Sequence, residues 1–402
     1  MPNRREFLKK VAICGGIASI APMQSIFGMD RAETNEYVSS PAFDSDAYTI
    51  HLPHIKATPV LPRQITIPDV NGFKVLKGDF HIHTLFSDGA VMPRDRVIEA
   101  VQNGLDVIAI TDHIEHRPFF SETGRWKLVN GQGNNFNLWY EIAKPEADKN
   151  NLLLIRGAEI TKKTMPPGHF NALFADDNNP IAAAVDNWQT MLQIAADQGA
   201  FLLWNHPGWE KPNGGGITKG APVRFTDIHE KIYQKGLMHG IEIFNKIEYY
   251  PIVSDWCNER KLAIFANSDI HASEVNQYGI HNRQRPITLV FAKERSVESI
   301  REALFAQRTV AWAADMVWGS REWLTALFSV SVTMKIITPG VIEMTNISSL
   351  PVAVSAGNIM VNLPQDRKME VFHMADIDNI TVNNWITGMN KSLEIPLPIP
   401  EK

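Results

Sequence analysis

The sequence predicts an α/β protein built on a parallel β/α sheet, followed by a small C-terminal region of β-strands. Two observations predict this class. Between about residues 72 and 315, short apolar runs of strand length alternate with amphipathic helix patterns, and this alternation is typical of parallel β/α architectures. Beyond about residue 318, β-type runs separated by turn signals replace the helix patterns, as in small β-sandwiches.

The individual elements follow from apolar runs and from helix start and stop signals. Pro93 suits the first turn of a helix, and Gly104 and Gly199 are typical helix stops. The predicted helices cover 93–103, 187–198 and 296–305, and the predicted strands cover 105–111, 152–155, 169–174, 200–204, 240–244, 262–266 and 287–291.

The C-terminal region from 319 to 402 is predicted to be an all-β, sandwich-like domain. Its β-type runs lie at 328–333, 341–346 and 351–355. It contains no cluster of metal-type residues, so we expect it to have a structural or contact role.

Size and composition are those of an ordinary globular protein. The chain has 402 residues, of which 44% are hydrophobic and 21% charged, enough for a domain of roughly 250 residues and a smaller one. The formal net charge is −5. This acidity argues against nucleic acid or an anionic membrane as a partner and favours a small-molecule substrate. The oligomeric state stays open.

The first 28 residues predict an export signal. Arg4 and Arg5, followed by an apolar run from Val11 to Phe27, resemble a twin-arginine signal, although a cytoplasmic helix or a short anchor would be alternatives. The run is too short and too interrupted for a stable membrane span. We therefore expect a periplasmic or otherwise exported protein, with residues 29–70 as an extended leader.

The cysteine content predicts that the exported chain has no internal disulfide. Only Cys14 and Cys257 are present, so removal of the signal would leave one thiol. Stability would then come from the core and from bound metal.

The first candidate site lies around His81 and His83. These histidines alternate with Phe80 and Ile82, so a short strand would point both imidazoles to the same face. A turn over Ser87-Asp88-Gly89 would bring the Asp88 carboxylate back over the strand end. A single His-x-His pair is weak evidence for metal, because a strand can carry two histidines for packing.

Further ligand-type residues strengthen the metal hypothesis, because nearly all of them stand at the end of a predicted strand. In a β/α barrel such positions converge on one rim. The nine candidate metal ligands are His81, His83, Asp88, His113, Glu159, His169, His206, Asp269 and His271.

The motifs resemble those of the polymerase-and-histidinol-phosphatase (PHP) metallohydrolases. The matching segments occur in the family's order and cover roughly residues 72–315. They are Phe80-His81-Ile82-His83-Thr84 with Asp88, Thr111-Asp112-His113, Gly157-Ala158-Glu159, Gly168-His169, Asn205-His206-Pro207 and Ser268-Asp269-Ile270-His271. The resemblance implies a distorted seven-stranded β/α barrel over residues 71–318 that binds two or three divalent ions.

The resemblance also implies how the ligands are shared among the ions. The first ion would be held by His81, His83, Glu159 and Asp269. Glu159 would bridge to a second ion, completed by His169 and His206. Asp88, His113 and His271 would hold a third. Asp88 stands where some members have histidine, which leaves the third ion open. Within the family, Leu76 to His81, Ile110 to Glu115 and the added β region resemble the Sb-PDE-type branch of bacterial organophosphate phosphodiesterases.

The chemistry of these ligands suits metal-assisted hydrolysis. Mixed imidazole and carboxylate sets bind zinc, iron or manganese, and the sequence does not choose among them. Two close cations can activate a bridging hydroxide and clamp a phosphoryl group. The candidate catalytic residues are Asp269, which is first a ligand, and His206. Cationic and amide side chains that follow predicted strands are candidates to contact the substrate. They are Lys246, Arg283, Arg285, Asn205 and Asn245.

Several supporting roles are expected around this site. Trp204 and Trp209 are candidates to line the cleft, and the glycine-rich loop at 213–216 is interpreted as a mobile lid. Asp112 is expected to support the site from behind the ligands rather than to act in catalysis.

These residues favour an exported phosphoesterase that prefers phosphodiesters. A phosphomonoesterase, or a hydrolase of a carboxylic or carbamate ester, are alternatives on the same fold. A catalytically silent metal-binding scaffold is a further alternative, although the full ligand set argues against it. A nuclease is disfavoured by the acidic charge.

Overall fold

The computed structural model describes residues 62–118, 135–209, 223–279, 284–338, 341–357, 359–365, 368–372 and 378–397. They lie in one compact unit that begins at Pro59. The predicted export signal, most of the predicted leader, Arg283 and the loop at 213–216 lie outside the described residues.

Helices and strands alternate through the first part of this unit and give way to strands later. The helices are α1 (Pro93–Gln102), α2 (Leu138–Lys149), α3 (Asn178–Ala183), α4 (Trp188–Asp197), α5 (Asp227–Gln234), α6 (Val253–Arg260), α7 (Glu274–Tyr278), α8 (Val297–Phe305) and α9 (Arg321–Ser331). The first eleven strands are β1 (Lys74–Asp79), β2 (Val107–Ile110), β3 (Leu153–Ile160), β4 (Phe170–Leu173), β5 (Phe201–Trp204), β6 (Gly240–Asn245), β7 (Glu248–Tyr249), β8 (Ala263–Asn267), β9 (Ile287–Ala292), β10 (Thr309–Ala313) and β11 (Met316–Gly319). The last seven are β12 (Val332–Thr338), β13 (Val341–Asn346), β14 (Val352–Ala356), β15 (Ile359–Leu363), β16 (Lys368–Phe372), β17 (Asn379–Gly388) and β18 (Lys391–Pro396).

Fifteen strands form one mixed sheet, in the order β15-β14-β17-β11-β10-β9-β1-β2-β3-β4-β5-β6-β7, with β8 beside β6 and β18 beside β17. The strands β1, β2 and β3 are parallel, as are β5, β6 and β8. By contrast, β4 runs antiparallel to both β3 and β5, and β9 antiparallel to β1. The expectation of a parallel sheet is therefore correct only within these two groups. The connection from β3 to β4 contains no helix, so it cannot carry the chain back for a parallel pairing.

The described strands do not form a closed seven-stranded ladder. The residues after β1 and β8 meet at a single parallel bridge between Ile82 and Ile270. Elsewhere side chains join these two ends of the sheet: Phe80 N donates to Asn267 Oδ1, and Ser268 N donates to Asp79 Oδ1. The two groups of parallel strands are therefore joined through β4, whereas β1 and β8 lack continuous backbone pairing.

The C-terminal region differs from the all-β prediction because it begins with a helix. Ser320 caps α9 by accepting a hydrogen bond from Trp323 N. Leu324, Leu327 and Phe328 are buried at helical spacing. The run from residue 328 was predicted as a strand because its apolar residues also alternate, but only Val332 onward is extended.

The C-terminal strands also continue the main sheet across the predicted boundary at residue 319. Strand β11 pairs in parallel with β17, while β12, β13 and β16 form a separate three-stranded sheet. Of the described helices, none is long and apolar enough to cross a membrane.

The core explains why several strands are apolar along their whole length. Every residue of β2, β5, β8 and β9 is buried, as expected for strands covered on both faces. The polar residues of the site lie at or just beyond the ends of the strands, outside this apolar packing.

Candidate metal centre

The centre starts from the two histidines that follow β1. Phe80 and Ile82 are fully buried in the core, so the alternating backbone turns His81 and His83 to the other face. Their Nε2 atoms lie 3.1 Å apart. The structure therefore brings these two imidazoles together as the sequence pattern predicts.

Glu159, near the end of β3, is the central carboxylate. Its Oε2 lies 3.3 Å from His81 Nε2, 3.2 Å from His83 Nε2 and 3.0 Å from His113 Nδ1. Its Oε1 lies 2.8 Å from His169 Nδ1 and 3.2 Å from His206 Nε2. One carboxylate thus faces five imidazoles.

His169 reaches this group because of the direction of β4. It stands immediately before β4, whereas the other ligands lie at or after the carboxyl ends of their strands. Since β4 runs antiparallel to β3, its beginning lies at the same edge of the sheet as the end of β3. The antiparallel strand is therefore part of how the site is assembled.

Asp269 completes what we call the inner cluster, defined as His81, His83, Glu159, His169, His206 and Asp269. Asp269 Oδ1 lies 3.1 Å from His83 Nε2 and 3.5 Å from His81 Nε2. Its Oδ2 lies 2.9 Å from Lys246 Nζ. No residue of the inner cluster is more than 5% exposed.

We call Asp88, His113 and His271 the outer cluster. Asp88 Oδ1 lies 3.2 Å from His271 Nε2, and Asp88 Oδ2 lies 3.6 Å from His113 Nε2. Lys162, which the sequence reasoning missed, places its Nζ 3.2 Å from Asp88 Oδ2 and 2.7 Å from His113 Nε2. The outer cluster therefore already contains a protein cation.

The inner cluster fits divalent metal ions. Glu159 Oε2 and Asp269 Oδ1 are buried and have no hydrogen-bond partner among the described residues, although buried carboxylate oxygens normally have one. Three groups of inner ligands each bring their donor atoms within 4.8 Å of one another: His81, His206 and Asp269; His81, His83 and Glu159; Glu159, His169 and His206. Zinc, manganese and iron all accept this nitrogen and oxygen donor set.

A buried carboxylate behind the ligands, Glu242 in β6, was missed in the sequence. Its Oε1 lies 2.9 Å from His81 Nδ1, and its Oε2 accepts a 2.7 Å hydrogen bond from the His206 backbone N–H. Because a carboxylate only accepts, His81 keeps a proton on Nδ1, and a metal ion that displaced the proton from Nε2 would meet that nitrogen's lone pair. One signal was available: Glu242 is the single charged residue in β6 and is flanked by two isoleucines.

Asp112 supports the turn that carries Asp88, in agreement with the expected supporting role. It accepts hydrogen bonds from Thr84 N at 2.7 Å and Ser87 Oγ at 2.6 Å. Gly89 closes the same turn, and a Cβ at this position would lie 2.6 Å from the His83 carbonyl carbon. Only glycine lets the chain pass so close.

The five predicted substrate contacts have different outcomes. Lys246 lies at the centre, beside Asp269. Arg285 does not, which corrects the prediction: its side chain is 1% exposed and is ion-paired with Asp79 and Glu274. A guanidinium buried between two carboxylates cannot reach a substrate.

The two predicted amides also face protein groups. Asn205 is buried and donates to Glu159 Oε1 at 3.0 Å. Asn245 is buried and donates to Glu242 Oε2 at 2.9 Å. Both amides therefore hold carboxylates in place rather than line the surface that a substrate would touch.

The two tryptophans at and after the end of β5 differ in position. Trp209 packs on His206, with ring centroids 4.7 Å apart, and lies under Lys246 Nζ at 5.2 Å. Trp204 is fully buried and stacks on His229 at 3.9 Å. Trp209 therefore lines the site, and Trp204 belongs to the core.

The groups around Glu159 and Asp269 lower the pKa of both carboxylates and so favour their ionised forms. Burial alone would raise the pKa of Glu159, but the imidazoles of His113, His81 and His169 hold it well below its ordinary value. Burial lowers the pKa of His113 well below its ordinary value. Burial would also lower the pKa of His83, but the nearby carboxylates of Asp269 and Glu159 raise it to about 9. A metal ion must therefore displace a proton from His83.

In this α/β protein, His, Asp and Glu side chains lie together at one edge of a mixed sheet. This arrangement is typical of metal-binding α/β proteins. The PHP domain family model matches residues 79–206. A crystal structure of a two-domain protein from Bacteroides vulgatus, containing a predicted PHP-like metal-dependent phosphoesterase, is 33% identical. The alignment covers 86% of this chain and 100% of that chain, with a TM-score of 0.76. The chain therefore belongs to the PHP domain family.

A weaker likeness links the chain to a candidate metal-dependent phosphoesterase from Bifidobacterium adolescentis. That structure is 14% identical, covers 56% of this chain and 95% of its own, and has a TM-score of 0.37. The comparison with curated proteins gives no match.

Proposed function

We propose that the protein is an exported, metal-dependent phosphoesterase that hydrolyses phosphodiesters in preference to monoesters. The observation that carries this proposal is the inner cluster, in which five buried ligands surround Glu159 while a lysine lies at its edge. Divalent ions held there would supply Lewis-acid activation of water and of the phosphoryl group.

The chain's own residues position the ester. Lys246 Nζ, held 2.9 Å from Asp269 Oδ2, is a cation at the edge of the inner cluster that can pair with a phosphoryl oxygen. Its side chain is 28% exposed, so a ligand can reach it. Trp209 forms a wall beside Lys246 and His206, and it limits how water and the ester enter from that side.

The catalytic roles proposed for Asp269 and His206 follow from their positions. Asp269 Oδ1 points into the centre as a ligand, and Oδ2 holds the lysine. His206 is fixed through its backbone N–H by Glu242, with Nε2 3.2 Å from Glu159 Oε1. Both side chains are pre-oriented before any substrate binds.

Charge favours a diester. A phosphodiester carries one negative charge, whereas a monoester at neutral pH carries nearly two. The burial of Arg285 between Asp79 and Glu274 removes a cation that a dianionic ester would need. Among the described residues, Lys246 is then the lysine or arginine that lies beside Asp269 and can meet the phosphoryl group.

We place the protein in the Sb-PDE-type branch of organophosphate phosphodiesterases and in the periplasm. The branch is supported by the residues around His81 and His113, and the location by Arg4 and Arg5. Cell fractionation of the wild type and of the Arg4→Lys, Arg5→Lys double variant tests the location. Retention of the variant in the cytoplasm supports export, and an unchanged distribution contradicts it.

Hydrolysis of paired chromogenic esters tests the function. We expect metal-loaded protein to cleave bis(4-nitrophenyl) phosphate faster than 4-nitrophenyl phosphate, and to cleave 4-nitrophenyl acetate slowest. Faster cleavage of the monoester would contradict the diester preference. Faster cleavage of the acetate would assign the site to another ester class.

A further inference from the structure

A large cavity lies beside the metal centre. Its volume is about 770 Å³, and its lining includes Phe244, Lys246, Ile247, Trp312, Leu363 and Arg63. Cavities of this size hold small organic ligands. The lining comes from β6 and β10 with the residues that follow each of them, from the end of α7 and the residues before β9, and from the region between β13 and β16. The C-terminal region therefore helps to build the cavity, beyond the structural role expected from its sequence.

Lys246 connects this cavity to the inner cluster. The same ammonium group that lies 2.9 Å from Asp269 Oδ2 belongs to a residue of the cavity lining. A phosphoryl group paired with Lys246 would therefore have one of its organic substituents at the mouth of the cavity.

The walls favour an apolar substituent. Nine of the sixteen lining residues are apolar, and three are charged. Ile247, next to Lys246, is 86% exposed, although an isoleucine side chain gains free energy when it is covered. An apolar group entering beside Lys246 would cover it.

The lining includes a buried hydrogen-bond donor without a partner among the described residues. Trp312 is 4% exposed, and its Nε1–H is buried without a hydrogen-bond acceptor among the described residues. A buried donor of this kind normally has a partner. A ligand with an acceptor atom on its apolar group would provide one.

We propose that this cavity is the subsite for the organic group of the ester, and that it selects a bulky apolar group of aryl size or larger that carries a hydrogen-bond acceptor. This assignment rests on the proposed phosphoesterase function. It makes Ile247 and Trp312 specificity-determining residues, and it gives the C-terminal region a part in substrate selection.

Calorimetric binding of three phosphonates to the metal-loaded full chain tests the subsite without requiring turnover. The probes are methylphosphonate, phenylphosphonate and 2-naphthylphosphonate, which share the metal-binding group and differ in the organic group. We expect the Kd to fall at least about tenfold from the methyl to the naphthyl compound, because the added apolar area is buried.

Two variants test whether the size-dependent phosphonate binding takes place in this cavity. Ile247→Asn should weaken naphthylphosphonate binding about threefold or more, as expected for the loss of part of an apolar contact, and leave methylphosphonate binding unchanged. Met360→Asn is the matched control, because Met360 is an apolar residue that is 69% exposed and does not line the cavity. Both sites are exposed, so both variants should fold.

The outcomes separate the two proposals. Equal Kd values for the three phosphonates, or equal effects of the two variants, would overturn the subsite. Size-graded binding that is lost in Ile247→Asn, together with no hydrolysis of bis(4-nitrophenyl) phosphate, would support the cavity as a binding site and contradict the phosphoesterase function.

Discussion

The inner and outer clusters use similar side chains but are built differently. The inner ligands are at most 5% exposed, and Glu242 and Asn205 fix His81, His206 and Glu159 from behind. In the outer cluster the side chains of Asp88 and His271 are 19% and 30% exposed. The Lys162 ammonium contacts both Asp88 and His113 in the outer cluster, whereas the Lys246 ammonium pairs with Asp269 at the edge of the inner cluster.

This difference indicates that the negative charge of the carboxylates is neutralised differently in the two clusters. Asp269 pairs with Lys246, but among the described residues Glu159 faces only imidazoles. Because a buried carboxylate without a full counter-charge is costly, we expect the inner cluster to require divalent ions. The outer cluster has a lysine beside Asp88 and His113 and is partly solvated, so its need for an ion is weaker. We therefore expect two tightly bound ions per chain and weak binding of a third.

The largest effect is expected from Glu159→Gln. This change removes the charge shared by both inner metal groups, so both ions should be lost and diester hydrolysis should fall at least a hundredfold, beyond the roughly 10- to 100-fold typical of residues behind the ligands. Metal analysis and kcat/KM on bis(4-nitrophenyl) phosphate measure it.

Glu298→Gln is the matched control for this change, since Glu298 is an exposed acidic residue in α8. Retention of two ions by Glu159→Gln would show that this carboxylate is not the bridge between the inner groups.

Removal of the Glu242 charge should have the next largest effect. Glu242→Gln keeps the shape of the side chain but weakens its hold on His81 Nδ1 and on the His206 backbone. Metal affinity should fall about 10- to 100-fold, measured by competition with a chelator. An unchanged affinity would mean that the ligands are oriented without Glu242.

The inner cluster should also bind metal more tightly as pH rises. The pKa of His83 is raised to about 9 in the metal-free protein, so below that pH a proton competes with the ion. Affinity should increase by up to about tenfold per pH unit for this proton and level off above pH 9. Chelator competition between pH 6.5 and 8.5 checks the slope, and a flat profile would contradict the assignment of His83 as a ligand.

The smallest change is expected at the outer cluster. Lys162→Met removes the ammonium that lies 3.2 Å from Asp88 Oδ2, so a third ion should bind more tightly, by about tenfold if one nearby like charge is relieved. Titration with manganese, followed by metal analysis, measures it. Three tight ions in the wild type, or no gain in the variant, would show that Lys162 does not compete with the third ion.

Much of the site could be predicted because its ligands obey local rules. The alternation of Phe80, His81, Ile82 and His83 is a property of any strand, and polar residues after apolar strands converge when the strands are parallel. The nine candidate ligands do come together. These rules do not predict that β4 is antiparallel to β3. That direction places His169, at the start of β4, beside the end of β3.

The residues that were missed depend on contacts between distant parts of the chain. Glu242 lies 161 positions from His81, and Lys162 lies 74 positions from Asp88. Arg285 was misassigned because a sequence does not show that Asp79, 206 positions away, neutralises its charge in the core.

Backbone conformation adds a second limit. His206, Lys246 and Asp269 adopt positive φ angles of 26°, 55° and 44°, which residues with a Cβ rarely do. Each turns its side chain just after a strand, at a site where surrounding contacts sustain the strain. No local sequence preference for these residues predicts that turn.

The most direct test of this account is the metal content of the purified chain, measured together with hydrolysis of bis(4-nitrophenyl) phosphate before and after chelation. The account predicts two tightly bound divalent ions per chain, loss of hydrolysis when they are removed, and recovery when zinc, manganese or iron is returned. A chain that binds none of these metals, or one that hydrolyses the diester equally well without them, would contradict it.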